Sequence, residues 1–402
     1  MRVMMQPGIL RGTVAAPPSK SMAHRMLICA ALAEGESLVH PIELSEDILA
    51  TADCLRALGA DIREEENALR IVKGCRPEKA GSAVLNCRES GSTLRFLLPL
   101  CLLSGNEMRM TGSGRLMERP LDVYGELCRE NGFRFEQGPG GIVLQGRLTA
   151  GNYTVRGDIS SQFITGLLFA LSRTEGWSEV RILPPMESGS YLEMTLAALE
   201  KNGIRISRPE GLRIAIHGGD AAVAGEKIVE GDWSNAAFFE ALNNAGSEVR
   251  VTGLKEDSLQ GDQVCREYFR QMREGRMTAD VTDCPDLAPV LMAAAALHGG
   301  IRLTGTRRLR FKESDRGTAM AEELAKFGVS VGIGDNEIIV GSEMPHEPRE
   351  ILQGHNDHRI VMALAVLCTR TGGTIEGAEA VRKSFPDFWD RMRGLGARIR
   401  TE

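Results

Sequence analysis

The feature that most constrains this chain is an internal repeat. An amphipathic helical stretch that ends in a turn at glycine and runs on into a strand recurs six times. The turn glycines are Gly59, Gly132, Gly203, Gly275, Gly328 and Gly396, spaced 73, 71, 72, 53 and 68 residues apart. Solenoid repeats run about 20–50 residues, so each unit here is a small subdomain instead. After four of the glycines a second apolar run follows a turn signal. Phe133-Arg134-Phe135, the turn Gly138-Pro139-Gly140-Gly141 and Ile142-Val143-Leu144 predict a hairpin in this way. The fourth and sixth units are cut short, and the run Val3 to Leu10 is expected to supply the strand missing from the sixth, tying the two ends of the chain together.

A second helix recurs with the same count. It begins with polar residues, continues as an apolar run and in most copies stops at glycine: Lys20 to Gly35, Ser90 to Gly105, Ser160 to Gly176, Asp232 to Gly246, Asp286 to Gly299 and Asn356 to Gly372. Helices apolar on nearly every side are buried, so strands and amphipathic helices are expected outside them. The resulting fold class is α/β, with two pseudo-symmetric, inside-out α/β domains, each of three repeated units with buried parallel helices and surrounding sheets. The first domain is expected at residues 19–229 and the second at residues 1–18 plus 230–402, with crossings near Ala16 to Lys20 and Ile228 to Asp232.

At 402 residues and 43% hydrophobic content, two such cores can be filled. A formal charge of −6 gives no overall pull toward nucleic acid or an anionic membrane, so any anionic ligand must be held by a local cluster. The N-terminus lacks a signal-peptide core, and the longest apolar run, Ile360 to Cys368, falls short of the roughly 20 residues a bilayer span needs. A cytoplasmic protein with no nucleic-acid or membrane partner is expected. Nine cysteines without a CxxC pair read as reduced core thiols, and seven histidines without HExxH or a Cys/His cluster give no metal site.

If the three buried helices of a domain run parallel, their N-termini emerge on one face, each with free N–H groups and about half a positive charge. Anions collect at such a face. The residues at these starts fit: Lys20, Ser21 and Arg25 on the first, Gly91, Ser92 and Arg95 on the second, Ser160, Ser161 and Gln162 on the third, Arg359 on the sixth. Each Ser or Asp taken alone also reads as an N-cap, worth about 1 kcal/mol. Lys20 and Arg25, on an otherwise apolar helix, do not. A second concentration of charge, Arg307 to Arg316, lies between a strand and a helix start, and Arg119 and Lys383 likewise precede helices. A charge run by itself is usually a solvated face; here it abuts a helix start.

Taken together, nine motifs resemble one family across the whole chain and in the family's order. They are Pro18-Ser19-Lys20-Ser21 with Arg25, Glu89-Ser90-Gly91-Ser92-Thr93-Leu94-Arg95, Glu118-Arg119-Pro120, Ser160-Ser161-Gln162-Phe163, Ser188 with Tyr191, Pro285-Asp286, Lys312-Glu313-Ser314-Asp315-Arg316, Asn356-Asp357-His358-Arg359 and Lys383-Ser384-Phe385-Pro386-Asp387. The family is EPSP synthase, 3-phosphoshikimate 1-carboxyvinyltransferase. The resemblance implies transfer of the enolpyruvyl group of phosphoenolpyruvate to the 5-hydroxyl of shikimate 3-phosphate, on the route to aromatic amino acids, with no metal or organic cofactor. It implies shikimate 3-phosphate contacts at Lys20, Ser21, Arg25, Ser160, Ser161, Gln162, Ser188, Tyr191, Asp286 and Lys312. Phosphoenolpyruvate contacts are implied at Lys20, Gly91, Arg119, Gln162, Arg316, Arg359 and Lys383. Asp286 becomes the candidate base for the 5-hydroxyl and Glu313 the candidate acid for the methylene, with Lys20 assisting.

Two positions depart from the family's pattern. Glu89-Ser90-Gly91-Ser92 stands where relatives often have Asn-Ala-Gly-Thr, and Arg308 stands where they often have Asn. Gly91, lacking a side chain, leans toward glyphosate sensitivity. The rival readings are the sister enzyme acting on UDP-N-acetylglucosamine, whose mobile loop carries a reactive cysteine that Gly112-Ser113-Gly114-Arg115-Leu116-Met117 lacks, and a non-enzymatic repeat scaffold, which would not need Lys and Arg at buried helix starts.

Overall fold

A computed structural model describes residues 1–220, 222–275 and 277–402; Ala221 and Arg276, the latter next to the fourth turn glycine, lie outside the described residues. The chain divides into two compact units, Pro18–Glu230 and Met1–Pro17 with Gly231–Glu402. Each has its own hydrophobic core.

The two helix types differ as their sequences require. Lys20–Leu32 is buried without a break from Met22 to Leu32, because almost no polar side chain interrupts it. Cys265–Glu274 buries only Cys265, Phe269 and Met272, one stripe at helical spacing, and turns its charged residues outward. The buried helices are Lys20–Leu32, Gly91–Cys101 and Ser161–Leu171 in one unit, and Trp233–Asn244, Ala288–Ala296 and His358–Thr371 in the other. Close approach is built in: a Cβ on Gly166 would stand 2.2 Å from the Arg95 carbonyl oxygen and 2.4 Å from the Tyr124 hydroxyl, so only glycine lets the second and third helices touch backbone to backbone. In the other unit Phe239, Phe385, Phe388 and Trp389 pack mostly edge to face.

All six turn glycines have positive φ, between 69° and 140°. The stop glycines behave differently from expectation. Only Gly372 caps its helix directly, whereas Gly35 and Gly176 lie inside the strands Ala33–His40 and Gly176–Leu183. Strand pairing begins as soon as those helices end, for instance at Ala33 opposite Ala222, and this tertiary pairing overrides the local signal. The fifth buried helix begins at Ala288, not Asp286, which sits in a short 3-10 turn, Pro285–Leu287.

Five sheets among the described residues are four-stranded and share one plan. In one of them Ala83–Asn86 runs parallel to Met108–Thr111, which pairs antiparallel with Gly141–Gln145, and Arg134–Gly138 closes the hairpin on the outside. The sheet of the sixth unit completes the same plan with a strand from the other end of the chain. There Leu352–Gln353 and Gly373–Glu376 are followed by Arg2–Met5 and then Ile399–Thr401, so the N-terminal strand stands where other units have their own hairpin strand. It is shorter than Val3 to Leu10, because Pro7 has no N–H to give a ladder. The chain then forms a second strand, Arg11–Ala15, parallel to Glu248–Thr252 of the shortened fourth unit. All nine cysteines are buried and unbridged. No described helix is long and apolar enough to cross a membrane.

Val3 is fully buried and paired on both sides, with Ile375 and Thr401. Val3→Ala should therefore destabilise its unit by about 2 kcal/mol. Urea denaturation followed through Trp233 and Trp389, both buried in that unit, reads the loss; an unchanged midpoint would mean that the strand adds no stability.

Candidate active site

In the unit Pro18–Glu230 the caps are serines. Ser19, Ser90 and Ser160 accept the N–H groups of Met22, Thr93 and Gln162, which frees the residues just after them for other work. Lys20 Nζ donates to Asp47 Oδ2 at 2.9 Å, and both side chains are largely covered. Arg25, 1% exposed, donates to the Ser21 carbonyl at 2.6 Å, the Tyr191 carbonyl at 2.7 Å and Thr195 Oγ1 at 2.9 Å. Burial lowers its guanidinium to about 10, still charged at neutral pH. The second and third helix starts are joined: Arg95 donates to Gln162 Oε1 at 2.8 Å, and Gln162 Nε2 donates to Ser92 Oγ at 3.0 Å. A Cβ on Gly91 would stand 2.6 Å from an Arg119 nitrogen, so the bare backbone there is what lets that guanidinium lie across the helix start. Ser188, in the left-handed region at φ 55, is buried just ahead of the helix Gly189–Lys201, and Ser161 is buried on the third helix.

The unit that carries Gly231–Glu402 gathers its charges around one arginine. Arg316, 2% exposed, donates to Asp286 Oδ1 at 2.6 Å, Glu313 Oε2 at 2.8 Å and Asp357 Oδ2 at 2.9 Å. Asp286 also accepts from Lys312 Nζ at 3.0 Å and lies 3.5 Å from Arg359. Burial alone would raise the Asp286 carboxyl, but Lys312, Arg359 and Arg316 outweigh it and hold it well below the usual range. Arg359 is fixed by Ser234, whose carbonyl and hydroxyl accept from it at 2.9 and 2.6 Å. Lys383 donates to the Asn356 carbonyl at 2.6 Å. Lys312, Arg316 and Arg359 and the carboxylates Asp286 and Glu313 are thus held together within one unit.

A family model described as EPSP synthase (3-phosphoshikimate 1-carboxyvinyltransferase) matches residues 4–392. The chain belongs to the EPSP synthase family. Among its relatives, the 3-phosphoshikimate 1-carboxyvinyltransferase of Clostridium kluyveri is 38% identical, over 99% of this chain and 98% of that one. The enzyme of the same description from Clostridium perfringens, strain ATCC 13124, is 37% identical over the full length of both. In fold the chain is similar to the solved EPSP synthase of Acinetobacter baumannii, with a TM-score of 0.78 at 24% identity and full coverage of both chains. The protein is therefore an enzyme of the enolpyruvyl transferase type, of the branch whose reaction lies in the shikimate pathway.

Several partners of these residues in this EPSP synthase family member carry no signal in the sequence. Asp47 and Asp357 are the carboxylates that hold Lys20 and Arg316, and neither has a local spacing signal that ties it to its cation. Arg308, at its departure from the family pattern, is buried and donates to the Thr282 carbonyl at 2.6 Å. The departure at Ser90 has a structural counterpart as well. A buried chain runs from His24 Nδ1 to Thr51 Oγ1 at 2.8 Å, on to Thr93 Oγ1 at 2.6 Å and to Ser90 Oγ at 2.7 Å, joining the first and second helix starts.

Burial, with the charges of Lys20 and Arg25 adding to it, holds the His24 imidazole well below its ordinary value of 6.5. Below that pH the unfolded chain takes up a proton that the folded unit refuses, so unfolding free energy falls with pH, by up to about 1.4 kcal/mol per pH unit for this one group. His24→Asn, which keeps a polar atom near the Nδ1 position, should flatten the loss of stability between about pH 6.5 and 5 in denaturation curves. Parallel curves for parent and variant would show that His24 is charged in the folded unit.

Proposed function

We propose that the chain transfers the enolpyruvyl group of phosphoenolpyruvate to the 5-hydroxyl of shikimate 3-phosphate, giving 5-enolpyruvylshikimate 3-phosphate and phosphate through a tetrahedral ketal. The observation that carries this reading is the Asp286 carboxylate set among Lys312, Arg316 and Arg359, with Glu313 on the same arginine. Two proton movements are required: the 5-hydroxyl loses one as it attacks C2, and the methylene carbon gains one, with elimination of phosphate returning it. Asp286 takes the first and Glu313 supplies the second, and Lys20 assists.

Electrostatics sets the order of events. Held by three cations, Asp286 is a weak base. When substrate phosphate and carboxylate groups engage those cations, their hold on Asp286 weakens and its basicity rises, so proton abstraction becomes favourable only once both substrates are in place. Arg is suited to this exchange, because its fork matches planar carboxylate and phosphate alike. Shikimate 3-phosphate is assigned to Lys20, Ser21, Arg25, Ser160, Ser161, Gln162, Ser188, Tyr191, Asp286 and Lys312, and phosphoenolpyruvate to Lys20, Gly91, Arg119, Gln162, Arg316, Arg359 and Lys383. The enzyme works as a cytoplasmic monomer on these small molecules, without a metal or organic cofactor.

Titration of the purified protein with both substrates while phosphate release is assayed tests the reaction. Asp286→Asn and Glu313→Gln should each lower kcat by about 100-fold or more while phosphoenolpyruvate affinity stays similar or tightens, since negative charge is removed beside an anion site. Arg119→Ala or Arg359→Ala should instead weaken phosphoenolpyruvate binding by roughly 2–5 kcal/mol. No phosphate release would sink the substrate assignment; near-normal turnover in both amide variants would sink the proton-transfer roles.

A further inference from the structure

The segment from Gln353 to Asn356 leads directly into the capping residue of the helix His358–Thr371, and His355 and Asn356 stand in the left-handed region at φ 47 and 51. L side chains remain in that region only where their surroundings hold them there. The hold comes from the helix Arg316–Lys326. Glu323, 1% exposed, accepts from the Gln353 backbone N–H at 2.9 Å and pairs with His355 Nε2 at 2.9 Å. Lys326 Nζ lies 3.0 and 2.9 Å from its two oxygens. A cation is thus already seated on Glu323, although Glu322, Glu323 and His355 bring three possible metal-ligand atoms within 4.8 Å of one another. Two turns earlier on the same helix, Arg316 grips the far end of the segment through Asp357. One helix therefore fixes positions 353, 355 and 357, and what the segment presents is the Asn356 carbonyl, bonded to Lys383, followed by Arg359.

We propose that Glu323 is a positioning residue for phosphoenolpyruvate: through Gln353 and His355 it keeps the segment in its left-handed conformation, and through the Asn356 carbonyl it sets where the Lys383 ammonium stands. This rests on the proposed reaction, in which Lys383, Arg316 and Arg359 bind phosphoenolpyruvate. Glu323 itself touches none of the reacting atoms. Burial opposes its ionisation, but His355, Lys326 and the Gln353 amide outweigh that and hold its carboxyl below the usual range, so the clamp is charged at neutral pH.

The test pairs steady-state kinetics of the full chain, on shikimate 3-phosphate and phosphoenolpyruvate, with hydrogen–deuterium exchange in the absence of substrates. Glu323→Gln keeps the shape and removes the charge. It should raise the phosphoenolpyruvate KM by about tenfold or more while kcat and the shikimate 3-phosphate KM move by less than about threefold. Exchange should quicken in the peptide covering residues 352–359 and not elsewhere. Adding Asn356→Gly, which takes a positive φ without a Cβ penalty, should recover at least about threefold of the lost phosphoenolpyruvate KM. A general loss of stability would not be reversed by glycine at one loop position. Should Glu323→Gln fail to fold, His355→Ala, at a side chain 23% exposed, carries the same expectations. Unchanged KM with unchanged exchange overturns the proposal, as does a raised KM that glycine does not reverse. A parent protein that releases no phosphate from these substrates refutes the reaction instead, and the exchange comparison then decides the clamp by itself.

Discussion

A helix buried along its length pairs its own backbone N–H groups everywhere but in its first turn, and each unit here is built around three such helices. Their first-turn N–H groups must be satisfied, and serine and aspartate caps do so at Ser19, Ser90, Ser160, Asp232 and Asp357. Once the caps are in place, the next residues along each helix stand at an electropositive end with little apolar packing to do. That is where Lys20, Gly91, Gln162 and Arg359 are found. The same need that stabilises the core therefore prepares the surface for anions.

The cost of concentrating cations at these ends is met by carboxylates of the chain itself. Arg316 is the extreme case, almost wholly buried and surrounded by Asp286, Glu313 and Asp357. Breaking such a buried set by removing one member costs about 3–5 kcal/mol, because the remaining charge has no solvent to turn to. Asp357 is best placed to hold the arginine permanently, since it also caps a helix and accepts from Ser314. Asp286, with a side chain 19% exposed where that of Asp357 is wholly covered, is the more accessible of the two.

Much of this was legible in the sequence because it is periodic or local. The glycine turns, the hairpins and the apolar helices each carry their signal within a few residues, and the sixth unit's missing strand could be inferred from the pattern of the others. The candidate cations were legible because Lys20 and Arg25 interrupt an apolar run. What holds them was not. Lys20 meets Asp47 and Arg316 meets Asp357 across 27 and 41 residues of chain, and no spacing rule links a side chain to a partner on another element. The stop glycines misled for a related reason: at Gly35 and Gly176 a distant strand, not the helix end, decides the backbone conformation.

The strand Arg2–Met5 lies between Gly373–Glu376 and Ile399–Thr401, and this has a consequence for the order in which the molecule is made. Residues 18–230 form a continuous unit that can fold while the ribosome is still translating the remainder of the chain. The other unit includes Met1–Pro17, made before that unit, yet the sheet of its sixth repeat closes only once residues 399–401 have been made. Until Gly373–Glu376 has been made, Arg2–Met5 has no native partner and its unsatisfied edges are open to wrong pairing, whereas Arg11–Ala15 meets Glu248–Thr252 earlier. The pairing of Val3 with Thr401 is therefore a late one in synthesis, although Val3 itself is made early.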